Sequence, residues 1–406
     1  MPEIVSPGAK APRILSLDIF RGLNIALMIF VNELASIHGL PWWTDHAPAN
    51  VNVMTYVDMV YPGFLLIVGM SLPLALNARV RRGDGTLKLV WYIVLRAVAL
   101  VVLGLILVNG PEGDAARMHG LGGFEWTLLA LLGAFLVWLD YPKTGSSQRQ
   151  LLYRVLRCCG VLLLVVLAVV YRRTDPGTKL AAWLTFGYPE ILGLIGYTYL
   201  VAGFCYLATR RWLWAPLSWF AAFLALNVLS AAKIVSTQHP WWVWPPQNGA
   251  QPALVFAGVV ISTLFFLDPR CNTLVRKAVP TLVFGALAAV AAWLLSPLGI
   301  SKIRATPTWV LYTVAACCVI YCALYFMCDV KKLTGWTAPF RSAGSNTLLT
   351  YLLPDIWFFV LSAAGSTWLG MHINYGAVGV VRAAVFTALM LAISSLLTRF
   401  RVRLQL

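Results

Sequence analysis

The chain has 406 residues, of which 60% are hydrophobic and 11% charged, and its mean hydropathy is +0.78. That much apolar surface has no place in a water-soluble globule, which leaves an all-α polytopic membrane protein. The net charge of +16 does not point to nucleic acid, because the basic residues sit in short connections between apolar runs, where they report orientation.

The opening residues, MPEIVSPGAKAP, are polar and proline-broken, and no small-residue cleavage site follows the first apolar run, so that run is expected to stay as an anchor. Apolar stretches of bilayer-crossing length lie at 14–36, 54–78, 89–109, 123–139, 155–171 and 187–208. Six more follow at 214–232, 253–268, 278–296, 308–328, 345–363 and 376–398. The pattern predicts a transmembrane helical bundle of about 12 spans, 10 at the fewest, in one membrane domain over 14–400. Lys and Arg concentrate on every second connection by roughly three to one, which predicts cytoplasmic tails at 1–13 and 401–406. Five of the eight cysteines, Cys205, Cys317, Cys318, Cys322 and Cys328, fall inside apolar runs and are read as small hydrophobes, not as disulfide or metal partners.

Polar residues inside these runs are the functional candidates, because an unpaired charge at membrane depth costs several kcal/mol. The first run carries Asp18 and Arg21, three apart and therefore on one helical face. They form either a structural ion pair or, with the planar donors of Arg21, an inner phosphate site. Asn32 and Glu33 follow near the outer end, then His46 in a short loop, then Asp58 opening the second run. A loop folded back over its own helix mouth would bring His46 to Asn32 or Asp58, giving a base, an orienting partner and an amide donor. Trp42 and Trp43 in that loop, and Trp241 and Trp242 beside His239 in the longest outer connection, serve as interfacial anchors or as flat platforms for a sugar ring. In the second half come Lys302 and Arg304 at an outer helix mouth, then Ser345, Asn346, Tyr351 and Asp355 on an apolar helix. Interhelical hydrogen bonding is the competing role for the last group. Glu190 and Arg382 also lie in spans, with no role foreseen beyond mutual or local pairing.

The segments RILSLDIFRGLNIALMIFVN, DHAPANVNVMTYVDMVYPGFLLIVG, ISKIRATPTWVL and AGSNTLLTY, in this order and spacing, resemble the successive motifs of the heparan-alpha-glucosaminide N-acetyltransferase family, which includes bacterial glucosamine acetyltransferases. The resemblance is best over residues 13–73. It implies a multi-pass enzyme of the bacterial inner membrane that takes acetyl from cytoplasmic acetyl-CoA and gives it to the amine of a glucosamine-type sugar outside. On it His46 is the catalytic histidine, Asn32 the active-site asparagine and Asp58 the acidic residue opening the next helix, while Lys302 and Asn346 match later motifs. Donor binding is expected from Arg21 with Asp18, Lys302, Ser345 and Asn346. Acceptor binding is expected from Trp42, Trp43, His239, Trp241 and Trp242, with no metal and with a homodimer one option for assembly. His46 would act either as general base in a ternary complex or as a nucleophile carrying acetyl. Two other classes share the composition: an O-acyltransferase of a surface polysaccharide, and a proton-coupled sugar transporter.

Overall fold

A computed structural model describes residues 14–235, 245–365 and 373–406. Helix α1 (Leu15–Leu34) is followed by single 3-10 turns at Trp42–Thr44 and Val57–Met59, the second leading directly into α2 (Val60–Arg81). Then come α3 (Thr86–Asn109), α4 (Gly123–Trp138), α5 (Ser147–Val170), α6 (Glu190–Thr209), α7 (Ala215–Ala231), the single turn α8 (Pro245–Asn248) and α9 (Ala250–Ser262). The last group is α10 (Leu274–Leu294), α11 (Pro307–Leu324), α12 (Ala338–Ser345), α13 (Thr347–Ala363) and α14 (Gly376–Arg399). Among the described residues the only sheet is a small antiparallel hairpin of Arg173–Thr174 and Ala181–Ala182.

Each of the twelve apolar stretches carries a helix. Among the described residues nine helices are long and apolar enough to cross a bilayer, or ten if the pair around α12 and α13, bent by 81°, is one broken span. The helices α4 and α7, of 16 and 17 residues, are shorter. This is a multi-pass membrane protein. Helix α9 forms its centre, with 83% of its apolar window buried, while α5, with 11% buried, faces outward.

Lipid offers no hydrophobic drive between helices, so close association rests on small residues that let backbones approach. Two crossings show this. A methyl group on Gly69 of α2 would strike the Val255 carbonyl of α9, and one on Gly258 of α9 would strike that of Leu66. Likewise Gly22 of α1 lies against the Phe340 carbonyl and Gly344 of α12 against that of Asp18. Backbone cannot yield as a side chain can. Gly344→Leu is therefore expected to cost about 3 kcal/mol or more, the upper end for overpacking, whereas Gly145→Leu, which faces open space, is expected to change the thermal midpoint little. Unfolding in detergent followed by intrinsic fluorescence checks both.

The bend between α12 and α13 falls at Asn346, whose backbone leaves the helical region. Its amide group ties the break to the C-terminal segment: Nδ2 donates to Thr398 Oγ1 at 3.1 Å and to the Val402 carbonyl at 2.8 Å, and Oδ1 accepts from Leu404 N at 3.3 Å. Glu33 pairs with Arg382 at 3.3 Å, joining α1 to α14. Glu190 instead accepts from the Tyr351 hydroxyl at 3.0 Å, so the two span charges find separate local partners.

Candidate active site

One polar site is built by the start of α2. In the sequence Thr55-Tyr56-Val57-Asp58 the aspartate carboxylate reaches back to the Thr55 backbone N–H, half of a capping box, with Oδ2 accepting at 3.1 Å. The Ala47 N–H also donates to Oδ2, at 3.3 Å, and the Thr55 hydroxyl donates to the Asp45 carbonyl at 2.9 Å. These bonds fold the loop over the helix mouth. The other carboxylate oxygen, Oδ1, then meets His46 Nδ1 at 2.8 Å. Asp58 has no exposed surface, and its backbone carbonyl accepts from Trp309 Nε1 at 2.9 Å, which anchors it to α11. A buried carboxylate on Nδ1 holds the proton there and leaves Nε2 with its lone pair as an acceptor.

Lys302 completes the arrangement from the opposite end of the chain. Its Nζ lies 3.1 Å from His46 Nε2 and 3.3 Å from Nδ1. The loop that presents it is pinned by Ser301 N donating to Thr306 Oγ1 at 3.0 Å and by Asn227 Nδ2 donating to the Ala305 carbonyl at 3.0 Å. Burial pushes the Lys302 ammonium down to about 8, against the opposing pull of Asp58 and Asp45. The imidazole keeps one open edge, with 38% of its side chain exposed. Trp42 and Trp43 stand exposed a few residues before it, the second 6.2 Å from the Tyr56 ring.

At the other end of α2 a cavity of about 600 Å³ opens between α1, α2, α3, α6, α12 and α13. Four guanidiniums line it: Arg21, Arg79, Arg82 and Arg96. Arg96 NH1 donates to the Tyr92 hydroxyl at 3.0 Å, while its Nε is buried without a partner among the described residues. Arg79 lies over the Tyr92 ring, 3.9 Å from its centre. Arg21 pairs with Asp18 at 3.4 Å and also donates to Ser71 Oγ at 2.7 Å and to the Gly344 carbonyl at 3.0 Å, tying three helices at the cavity wall. An orphaned donor among four cations suits a polyanion. The cavity ends at Met28, Phe64 and Tyr351. Phe64 lies six residues beyond Asp58, roughly 9 Å along the helix axis. The buried cluster of Met28, Val31, Val57 and Val60 belongs to the same stretch of α1 and α2.

Of the residues expected to serve the donor, Arg21 and Ser345 line the cavity. Lys302 does not, because its long-range contact is His46 beside the start of α2, and Asn346 does not, because its amide is committed to the C-terminal segment. Asp18 is not part of the cavity lining but pairs with Arg21, which is. Of the expected catalytic residues, His46 and Asp58 are joined directly. Asn32 is exposed on the last turn of α1, and among the described residues the hydrogen bonds of His46 go to Asp45, Asp58 and Lys302. His239, Trp241 and Trp242 lie outside the described residues.

The profile of a family described as a domain of unknown function (DUF5009) matches residues 13–265, more than half of the chain. The chain belongs to the DUF5009 family. It is also similar to the heparan-alpha-glucosaminide N-acetyltransferase of Mus musculus, 34% identical over 149 residues that make up 34% of this chain and 22% of that protein. The corresponding Homo sapiens protein is 37% identical over 153 residues, 36% of this chain and again 22% of the relative. The matches thus span about a fifth of the length of these curated relatives. The DUF5009 match takes in His46, Asp58 and the four cavity arginines, whereas Lys302, Ser345 and Tyr351 come from beyond it. Sequence reasoning passed over Arg96 even though a cation in the apolar run LVWYIVLRAVAL was signal enough.

Proposed function

We propose that this chain is a membrane acetyltransferase, taking acetyl from acetyl-CoA held in the arginine-lined cavity and passing it to the amine of a glucosamine-type sugar at the His46 site. The observation that carries the reading is the buried Asp58 carboxylate on His46 Nδ1, which leaves Nε2 as a base at an open rim. In the direct route the sugar amine attacks the thioester carbonyl carbon and Nε2 takes its proton. The carbon–nitrogen bond forms, the carbon–sulfur bond breaks, and the imidazolium returns the proton to the leaving thiolate. The Lys302 ammonium stabilises the oxyanion between these steps, with Asn32 as a second donor. Trp42 and Trp43 offer the sugar a platform, with His239, Trp241 and Trp242 as further acceptor contacts. The thioester reaches His46 by displacing the apolar side chains of Met28 and Val31.

Orientation follows the basic residues. The cavity faces the cytoplasm, both tails lie on that side, and the protein resides in a bacterial inner membrane as one membrane domain with 10 to 12 spans. Purified protein given acetyl-CoA and glucosamine is expected to release free thiol. Hydroxyl-only sugars are expected to give none, and release with them alone would replace this reading by O-acetylation.

Two expectations separate the mechanisms. Radiolabelled acetyl-CoA without acceptor should leave the protein unlabelled, because His46 is a base here and not an acetyl carrier. Turnover should fall as pH rises through about 8, where Lys302 loses its proton. Lys302→Arg, still charged above that pH, should remove this limb from the pH–rate profile, and Lys302→Met should lower turnover across the whole range.

A further inference from the structure

A second groove, of about 720 Å³, runs between α12 and α14. Three guanidiniums gather at one end of it, Arg341 from α12, Arg399 from the last turn of α14 and Arg403 just beyond. None of them is paired with a carboxylate among the described residues, and the Arg403 Nε is buried with no hydrogen-bond partner. The rest of the groove has the opposite character. Ala388, Ala392, Ser395 and Arg399 follow at steps of four, three and four, so small side chains form one stripe along α14 that ends in a cation. Phe340 supplies an apolar wall, and the floor is closed by Ser395 Oγ against Ser342 Oγ at 3.2 Å. Ala388 and Ala392 are exposed on a helix of which only 28% of the apolar window is buried, so the apolar end continues onto a lipid-facing surface.

We propose that this groove is a binding site for an anionic phospholipid, with the phosphate held by Arg341, Arg399 and Arg403 and an acyl chain lying along the Ala388–Ala392 stripe. The charge pattern selects the ligand. Three cations gathered without a counter-carboxylate among the described residues favour an anion, and planar guanidiniums suit a phosphate diester. A soluble anion would leave the apolar half of the groove empty, whereas a lipid fills both halves. Ser345 lines this groove and the donor cavity alike, so the lipid would brace the helix that carries one wall of the cavity. The proposal does not depend on the acetyltransferase reading.

The test compares thermal unfolding of the full chain in nanodiscs of phosphatidylcholine with nanodiscs in which a third of the lipid is phosphatidylglycerol. The mixed discs are expected to raise the midpoint by several degrees, since a ligand bound only by the folded state stabilises it. Arg399→Gln with Arg403→Gln should abolish that rise. Arg149→Gln with Arg154→Gln, on the exposed helix α5, should leave it intact. Ala392→Trp keeps every arginine but fills the groove, and it should abolish the rise as well, which covers the case where the double arginine variant folds poorly. The proposal is overturned if the rise survives in either groove variant, if the α5 variant loses it equally, or if inorganic phosphate in phosphatidylcholine discs reproduces it.

Discussion

Asp58→Asn is expected to lower glucosamine-dependent thiol release by about 10³- to 10⁴-fold while the protein stays folded, the size of effect seen when a histidine base loses its orienting carboxylate. Four hydrogen-bond donors converge on that carboxylate, His46 Nδ1, Ala47 N, Thr55 N and, at 3.4 Å, Thr55 Oγ1. An amide can accept through only one of its two heavy atoms. If its oxygen stays on the two backbone donors, its NH₂ points at Nδ1 and forces the imidazole into the tautomer whose Nε2 carries a proton and cannot act as base. His46→Ala should give a loss of similar size, and the two changes together should cost little more than either alone, because both remove the same function. Folding is checked by size-exclusion profile and by unfolding midpoint. An Asp58→Asn protein with near-normal turnover would mean that the carboxylate only shapes the loop.

The second large effect belongs to the donor. Arg96→Met should raise the KM for acetyl-CoA by about 10- to 100-fold with kcat little changed, since hydrogen bonds to a charged group contribute about 1.5–3 kcal/mol each. Arg96 is the natural choice because its unpaired Nε marks a donor awaiting an anion, while Arg21 is already engaged by Asp18, Ser71 and Gly344. Met keeps an apolar stem of similar reach while removing the guanidinium, whose central carbon lies 5.0 Å from the centre of the Tyr199 ring. Isothermal titration with desacetyl CoA reads the same loss without chemistry. Unchanged affinity would move the nucleotide out of this cavity.

The sequence carried the His46–Asp58 contact because it is local. Twelve residues separate the two, and a loop closing over the mouth of its own helix leaves few other arrangements. Lys302 is 256 residues from His46, and no pattern in a single chain says that these two loops meet. Its place at an outer helix mouth was readable, its partner was not. Asn346 shows the opposite difficulty. The run 345–363 reads as one uninterrupted apolar stretch, yet the helix breaks at its start, and the Asn346 amide, read as either a ligand contact or an interhelical bond, holds the break to Thr398 and Val402. Tertiary hydrogen bonds decided both cases, while hydropathy decided the helices.

In the proposed reaction one protein carries acetyl from a donor on one side of the membrane to an amine on the other. Proteoliposomes loaded with acetyl-CoA and given glucosamine only in the outer medium test it most directly, with N-acetylglucosamine measured outside. Wild-type vesicles are predicted to accumulate outer product, and His46→Ala vesicles none. Product that forms only when both substrates share a compartment would rule out transfer across the membrane, and outer product that persists in His46→Ala would rule out His46 as its base.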